Sequence, residues 1–144
     1  MDEAAVKENS PAARAKRTAR AVQAGTRQVV VHYGMPKTGS TSIQESLARK
    51  LSDPRFHYVR LGYSNASVGI ATAFKASAKD FHFHVKSGTT VGEVGRMGEE
   101  IVEQLATELG SAGNRTSILS GEAMFGLRAH ELRDLCKVLT RHGH

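Results

Sequence analysis

Residues 29–42, Val-Val-Val-His-Tyr-Gly-Met-Pro-Lys-Thr-Gly-Ser-Thr-Ser, constrain this chain more than any other stretch. The apolar run at 29–33 predicts a strand, a Gly- and hydroxyl-rich loop follows, and Ile43, Leu47 and Leu51 mark an amphipathic helix directly after it. That order builds a phosphate cradle: loop N–H groups converge on an anion, and the helix N-terminus adds its partial positive charge. In the ATP-binding loop G-x-x-x-x-G-K-[ST], the lysine follows the second glycine. Here Gly34 and Gly39 have that separation, but Ser40 fills the lysine position and Thr41 the Ser/Thr position, while the cation sits earlier, at Lys37. The loop is therefore not a standard ATP-binding one.

The run Pro-Lys-Thr-Gly-Ser-Thr-Ser after a strand resembles the 5′-phosphosulfate loop of sulfotransferases that use 3′-phosphoadenosine-5′-phosphosulfate (PAPS). Residues 32–44 are most similar to bacterial sulfotransferase-family proteins, whose loops commonly read Lys-Thr-Gly-Thr-Thr followed by Ser-Ile-Gln. A second match is 116–125, Thr-Ser-Ile-Leu-Ser-Gly-Glu-Ala-Met-Phe, a strand ending in a Ser-x-Glu segment. The resemblance implies PAPS as co-substrate and an acceptor hydroxyl or amine. It implies that Lys37 contacts the 5′-phosphate side and stabilises charge on the bridging oxygen. Thr38, Gly39, Ser40 and Thr41 would donate backbone N–H groups, Ser40 or Thr41 would add a hydroxyl, and Ser42 would assist. Gly39 is expected because a side chain there would obstruct close backbone approach. Gly34 supports the turn, Pro36 stiffens it, and no metal is required.

Sulfuryl transfer also needs a base for the acceptor. Glu122 is the candidate, since it follows the strand at 116–120 and carboxyl ends of parallel strands are where open α/β sheets bind ligands. The alternative for Glu122 is a carboxylate held by backbone N–H groups at a helix N-terminus. His32, just inside the first strand, suits a hydrogen-bonded structural role better than catalysis. His82 and His84 would share a face if 81–85 is a strand, but no third ligand at a defined spacing supports a metal site. His142 and His144 belong to the chain's end.

Net charge is +6 over 144 residues, so an anionic partner is expected. Much of the excess lies in Arg14, Lys16, Arg17, Arg20 and Arg27, where sparse aromatics argue for a solvated basic segment and against a nucleic-acid partner. No apolar run is long enough to cross a membrane, and 1–27 lack a signal-peptide core. The single cysteine, Cys136, rules out an internal disulfide and fits a reducing compartment, so a cytoplasmic location is expected, with Cys136 as a small core residue.

The pattern predicts an α/β domain, with a P-loop-like parallel sheet flanked by helices. Residues 1–26 read as a basic, Ala-rich extension, helical at 13–23 if ordered, and 27–144 as the N-terminal part of a sulfotransferase-like domain. Within it, 40–51 predict a helix stopped by Ser52-Asp53-Pro54, 56–61 a strand with a turn at 62–65, 68–78 a helix, and 81–85 a strand or extended loop. Thr90 and Glu93 have capping-box spacing, before Val94, Met97, Ile101, Leu105 and Leu109 on one helical face. Residues 116–119 predict a strand, and Leu132, Leu135, Cys136 and Leu139 share a face of a last helix. The family's 3′-phosphate Arg and Ser are not visible, so the domain is expected to be incomplete, either marginally stable or hiding a bare sheet edge by self-association, and without turnover by itself. The rival functions are a P-loop kinase-like phosphotransferase and a non-catalytic anion- or nucleotide-binding fragment.

Overall fold

The computed structural model describes residues 27–34 and 39–142. The basic extension, with its helix expected at 13–23, and Pro36, Lys37, Thr38 and His144 lie outside the described residues. Three parallel strands, β1 (Val29–His32), β2 (Phe56–Tyr58) and β3 (Thr116–Ser120), form a sheet in the order β1-β3-β2. Val29 faces Ser117 and His32 faces Ser120 on one side of β3, while Phe56 faces Thr116 and Tyr58 faces Ile118 on the other. Around the sheet run α1 (Ser40–Lys50), α2 (Ser67–Phe74), α3 (His82–Ser87), α4 (Val91–Ser111) and α5 (Ala129–His142). The fold is thus α/β, with a small parallel sheet flanked by helices.

The strand and helix sides meet in one core, where Val59, Leu61, Ile70, Leu105, Leu109, Leu119 and Leu135 are almost fully enclosed. Burying such aliphatic side chains contributes about 1.5–3 kcal/mol each and is the main force holding the helices on the sheet. α4 begins on the expected capping box: Thr90 Oγ1 accepts from the Glu93 N–H, and the Glu93 carboxylate accepts from the Thr90 N–H. The Thr90 hydroxyl also donates to that carboxylate at 2.6 Å, and this bond first, with the Thr90 N–H second, holds the Glu93 carboxyl below its usual range. Val94, Leu105 and Leu109 then reach the core from one face. Gly98 of the same helix lies against α2, since a Cβ there would stand 3.1 Å from the Thr72 carbonyl oxygen.

Four expectations are corrected. Residues 81–85 are not extended: Phe81 precedes α3, whose N–H groups at His84 and Val85 both bond the Phe81 carbonyl. A lone strand there would leave its polar backbone unpaired, whereas a helical turn satisfies it locally, and Gly88 at φ 66° closes the turn. His82 and His84 therefore do not share a face: His84 is fully buried and His82 is exposed. Cys136 and Leu132 of α5 are exposed, because the core meets the helix along Glu131, Leu135 and Leu139. In α1 the buried side is polar: Ser40 and Gln44 are enclosed while Ile43 is 51 % exposed. The second strand is shorter than 56–61, although the Val59 N–H still bonds the Ile118 carbonyl at 2.9 Å.

A buried carboxylate joins α5 to the segment that follows α2. Glu131 accepts from the Arg128 N–H and the Ala76 N–H, each at 2.7 Å, and these bonds, Arg128 first, hold its carboxyl below the usual range against the cost of burial.

Candidate functional site

The carboxyl ends of β1 and β3 open toward the N-terminus of α1. β1 runs out into Tyr33 and Gly34, and α1 resumes the described chain at Gly39, its N-cap, with φ 79°. A Cβ on Gly39 would meet nothing within 4 Å among the described residues. The left-handed backbone by itself favours glycine here. The first turn of α1 contains no acidic residue, and Thr41 and Ser42 are exposed there. Its N–H groups and partial positive charge are thus presented together with two accessible hydroxyls.

Ser40 differs from its neighbours. It is buried, and its hydroxyl donates to Glu122 Oε1, so the carboxylate brought to this helix end comes from the far side of the central strand. Glu122 opens a short 3-10 turn, Glu122–Gly126, directly after β3. The position of that turn is fixed from α2. The Ala66 N–H bonds the Ser120 carbonyl at 2.8 Å, and Ser67 Oγ accepts from the Ala123 N–H at 3.0 Å. Gly121 makes the approach feasible: a Cβ on it would sit 3.0 Å from the Ser67 nitrogen and 3.2 Å from the Ala66 carbonyl carbon. Glu122 is held by a side-chain hydroxyl and by the turn around it.

Beneath α1 lies a polar layer. His32 Nδ1 and Ser120 Oγ are 2.7 Å apart, joining the last residues of β1 and β3. The Tyr58 hydroxyl at the end of β2 donates to the Ser64 carbonyl; burial pushes that phenol up, partly offset by the Ser120 hydroxyl. Gln44 is enclosed with its Oε1 lacking a partner among the described residues.

Glu122 also forms part of an open cleft in two adjoining lobes of about 290 and 430 Å³. Ser67, Phe81 and His82 border both lobes alongside it. A separate cavity of about 610 Å³ lies between α2 and the first half of α4, bordered by Lys75, Lys79, Glu99 and Glu103 but not by Glu122. We place the chemistry at the cleft that Glu122 enters. No residue of α1 or β1 borders either lobe; Glu122, through its bond to Ser40, is what connects the cleft to the loop helix.

Of the residues singled out in the sequence, Gly39, Ser40, Thr41, Ser42 and Glu122 are brought together, and Lys37 and Thr38 lie outside the described residues. His84 is remote in role: its Nε2 lies 2.7 Å from Thr72 Oγ1, and no group of three or more metal-ligating side chains occurs among the described residues. Sequence reasoning missed Ser67, although Asn65-Ala66-Ser67 carries a turn signal, and Asn65 Oδ1 does accept from the Ser67 N–H at 2.8 Å. It also missed Gln44 and the cleft aromatics: Gln44 and Phe125 fall inside the two matched runs but have no role in that reading, and Tyr63, Phe81 and Phe83 lie on segments of no recognisable motif. No described helix is long and apolar enough to cross a membrane.

Comparison with protein-family models, with curated proteins and with solved structures gives no match to this chain.

Proposed function

We propose that this chain is a P-loop-like, PAPS-dependent sulfotransferase-type protein that acts on an acceptor hydroxyl or amine. The observation that carries the reading is the Ser40–Glu122 hydrogen bond, which joins the first residue of the loop helix to a carboxylate at the end of the central strand. A base must reach the acceptor oxygen while the donor's anionic end rests on the loop, and this bond puts the two halves side by side.

The residues fit an anionic co-substrate. The first turn of α1 is free of acidic residues, and Thr41 and Ser42 offer exposed hydroxyls beside its N–H groups. Lys37 supplies the cation that the loop motif calls for. When bound, PAPS supplies the sulfuryl group and leaves as adenosine 3′,5′-bisphosphate. Glu122 accepts the acceptor's proton on the cleft side, and Ser40 orients that carboxylate by donating to Oε1. The assignment calls for no metal, and cytoplasmic action on a dissolved acceptor is part of the same proposal.

Isothermal calorimetry tests the reading. Adenosine 3′,5′-bisphosphate is expected to bind without added Mg²⁺. ATP binding more tightly, and only with Mg²⁺, would move the chain to the phosphotransferases. Binding of both nucleotides no better than inorganic phosphate would leave a non-catalytic anion-binding protein.

A further inference from the structure

The chain has five Phe and three Tyr, and Tyr63, Phe81, Phe83 and Phe125 all border the cleft that Glu122 enters. Tyr63 is 60 % exposed and Phe125 57 %. Large aromatic side chains left in water without a partner forgo the stabilisation that burial would give them. Here they gather around a carboxylate at the mouth of the candidate site. Phe81 and His82 stack their rings at 4.3 Å between centroids, at 53° to one another, forming a tilted wall common to both lobes. Lys75 stands over the Phe81 ring at 5.9 Å and borders one lobe.

We infer that this cleft binds the acceptor, and that the acceptor is a flat, apolar ring bearing the reacting hydroxyl, a phenol-class compound. Lobes of about 290 and 430 Å³ suit one or two fused rings and are small for an oligosaccharide. Aromatic walls favour offset or edge-to-face contact with another ring, whereas a sugar needs several directed polar partners. The groups other than Glu122 that line the cleft and can bond a hydroxyl are few, among them Ser67, Asn65 and His82. A phenol near pKa 10 also surrenders its proton to a carboxylate far more readily than an aliphatic hydroxyl, a much weaker acid, does. The role of the bound ring as acceptor rests on the proposed function above; its binding does not.

2-Naphthol is the probe. The chain contains no Trp, so naphthol fluorescence can be followed without indole emission. Titration of the full chain is expected to show saturable naphthol binding, weakened about three- to tenfold by Phe125→Ala and by Tyr63→Ala, the range expected for an aromatic contact. Both side chains are more than half exposed, so these variants keep the core intact, which circular dichroism checks. Adenosine 3′,5′-bisphosphate is expected to leave naphthol bound. Naphthol binding that the two variants do not alter, or no binding while the bisphosphate binds, overturns the inference and leaves the sulfotransferase reading standing. Aromatic-dependent naphthol binding with no bisphosphate binding supports the ring site and removes that reading instead. Displacement of naphthol by glucosamine at equal concentration overturns the inference in favour of a saccharide.

Discussion

The Ser40 hydroxyl and the Glu122 carboxylate are hydrogen-bonded although 82 positions separate them in the sequence. α1 packs thinly on the rest of the chain, with Ile43 turned outward, so this bond is a principal tie between the loop helix and the sheet. A double-mutant cycle with Ser40→Ala and Glu122→Gln, read by urea denaturation, is expected to give a coupling of about 1.5–3 kcal/mol, as for a hydrogen bond to a charged group. Additive effects would show that the two side chains do not hold α1. In a turnover assay with PAPS on an active form that supplies the 3′-phosphate site, Glu122→Gln is expected to lower the rate by roughly 10²–10⁴ with bisphosphate affinity nearly unchanged. A normal rate would return Glu122 to a scaffold role.

Lys37 is the loop's cation, and its removal tests the anion cradle directly. Lys37→Ala is expected to weaken adenosine 3′,5′-bisphosphate binding by about 1.5–3 kcal/mol in calorimetry. Lys37→Arg should retain part of that affinity, since charge is kept while the donor geometry changes. Equal affinity for all three proteins would show that the anion is held elsewhere.

Acid stability should fall in two stages. His84 is buried, its Nε2 is engaged with Thr72, and its Nδ1 has no partner among the described residues. Burial first, and Lys79 second, hold its pKa below the ordinary 6.5. The unfolded chain then takes up the proton before the folded one does. His84 therefore contributes stability that is present above about 6.5 and is lost as pH falls from there through the folded value. Glu131, also depressed in the fold, adds a loss that begins as pH falls below its ordinary 4.5. Urea midpoints measured from pH 8 to 3 should show both, and His84→Gln should flatten the first stage alone. An unchanged slope near pH 6 in His84→Gln would contradict the assignment.

Gly121→Ala should destabilise the fold by about 1–3 kcal/mol, the usual cost of overpacking, because the added carbon meets backbone atoms of Ala66 and Ser67 that cannot swing aside. The same change should displace Glu122 and slow turnover. Gly39→Ala meets no neighbour among the described residues, yet is strained by its left-handed φ, so its cost of about 1–2 kcal/mol should appear without any shift at Glu122. Thermal melts and the turnover assay on both variants separate space from backbone conformation.

Much of the frame was legible because it depends on local pattern. The strands at Val29–His32 and Thr116–Ser120 and the capping box at Thr90 follow from runs of apolar residues and from side-chain spacing. The misses share a cause. Phe-His-Phe-His alternates like a strand, but with no neighbouring strand to pair with, the backbone closes on itself and His84 finds Thr72. Ile43 and Cys136 lie on apolar-looking stripes, yet which side of a helix is covered depends on what the rest of the chain brings to it. The Ser40–Glu122 pairing was legible only as two separate candidates. Their contact depends on Gly121 letting β3 press against α2, a distance that no spacing rule records.

The order β1-β3-β2 also sets a timetable for the nascent chain. Neither early strand has a described sheet partner except β3, and His32 meets Ser120 from 88 positions away. At about 5–20 residues per second, the ribosome leaves Val29–His32 waiting roughly 4–18 seconds for its neighbour. During that interval the valine run is an unpaired, β-prone segment with nothing of its own sheet to join. The helices from α1 to α4 can form while it waits, but the sheet closes in a single late event, when β3 arrives between its two partners.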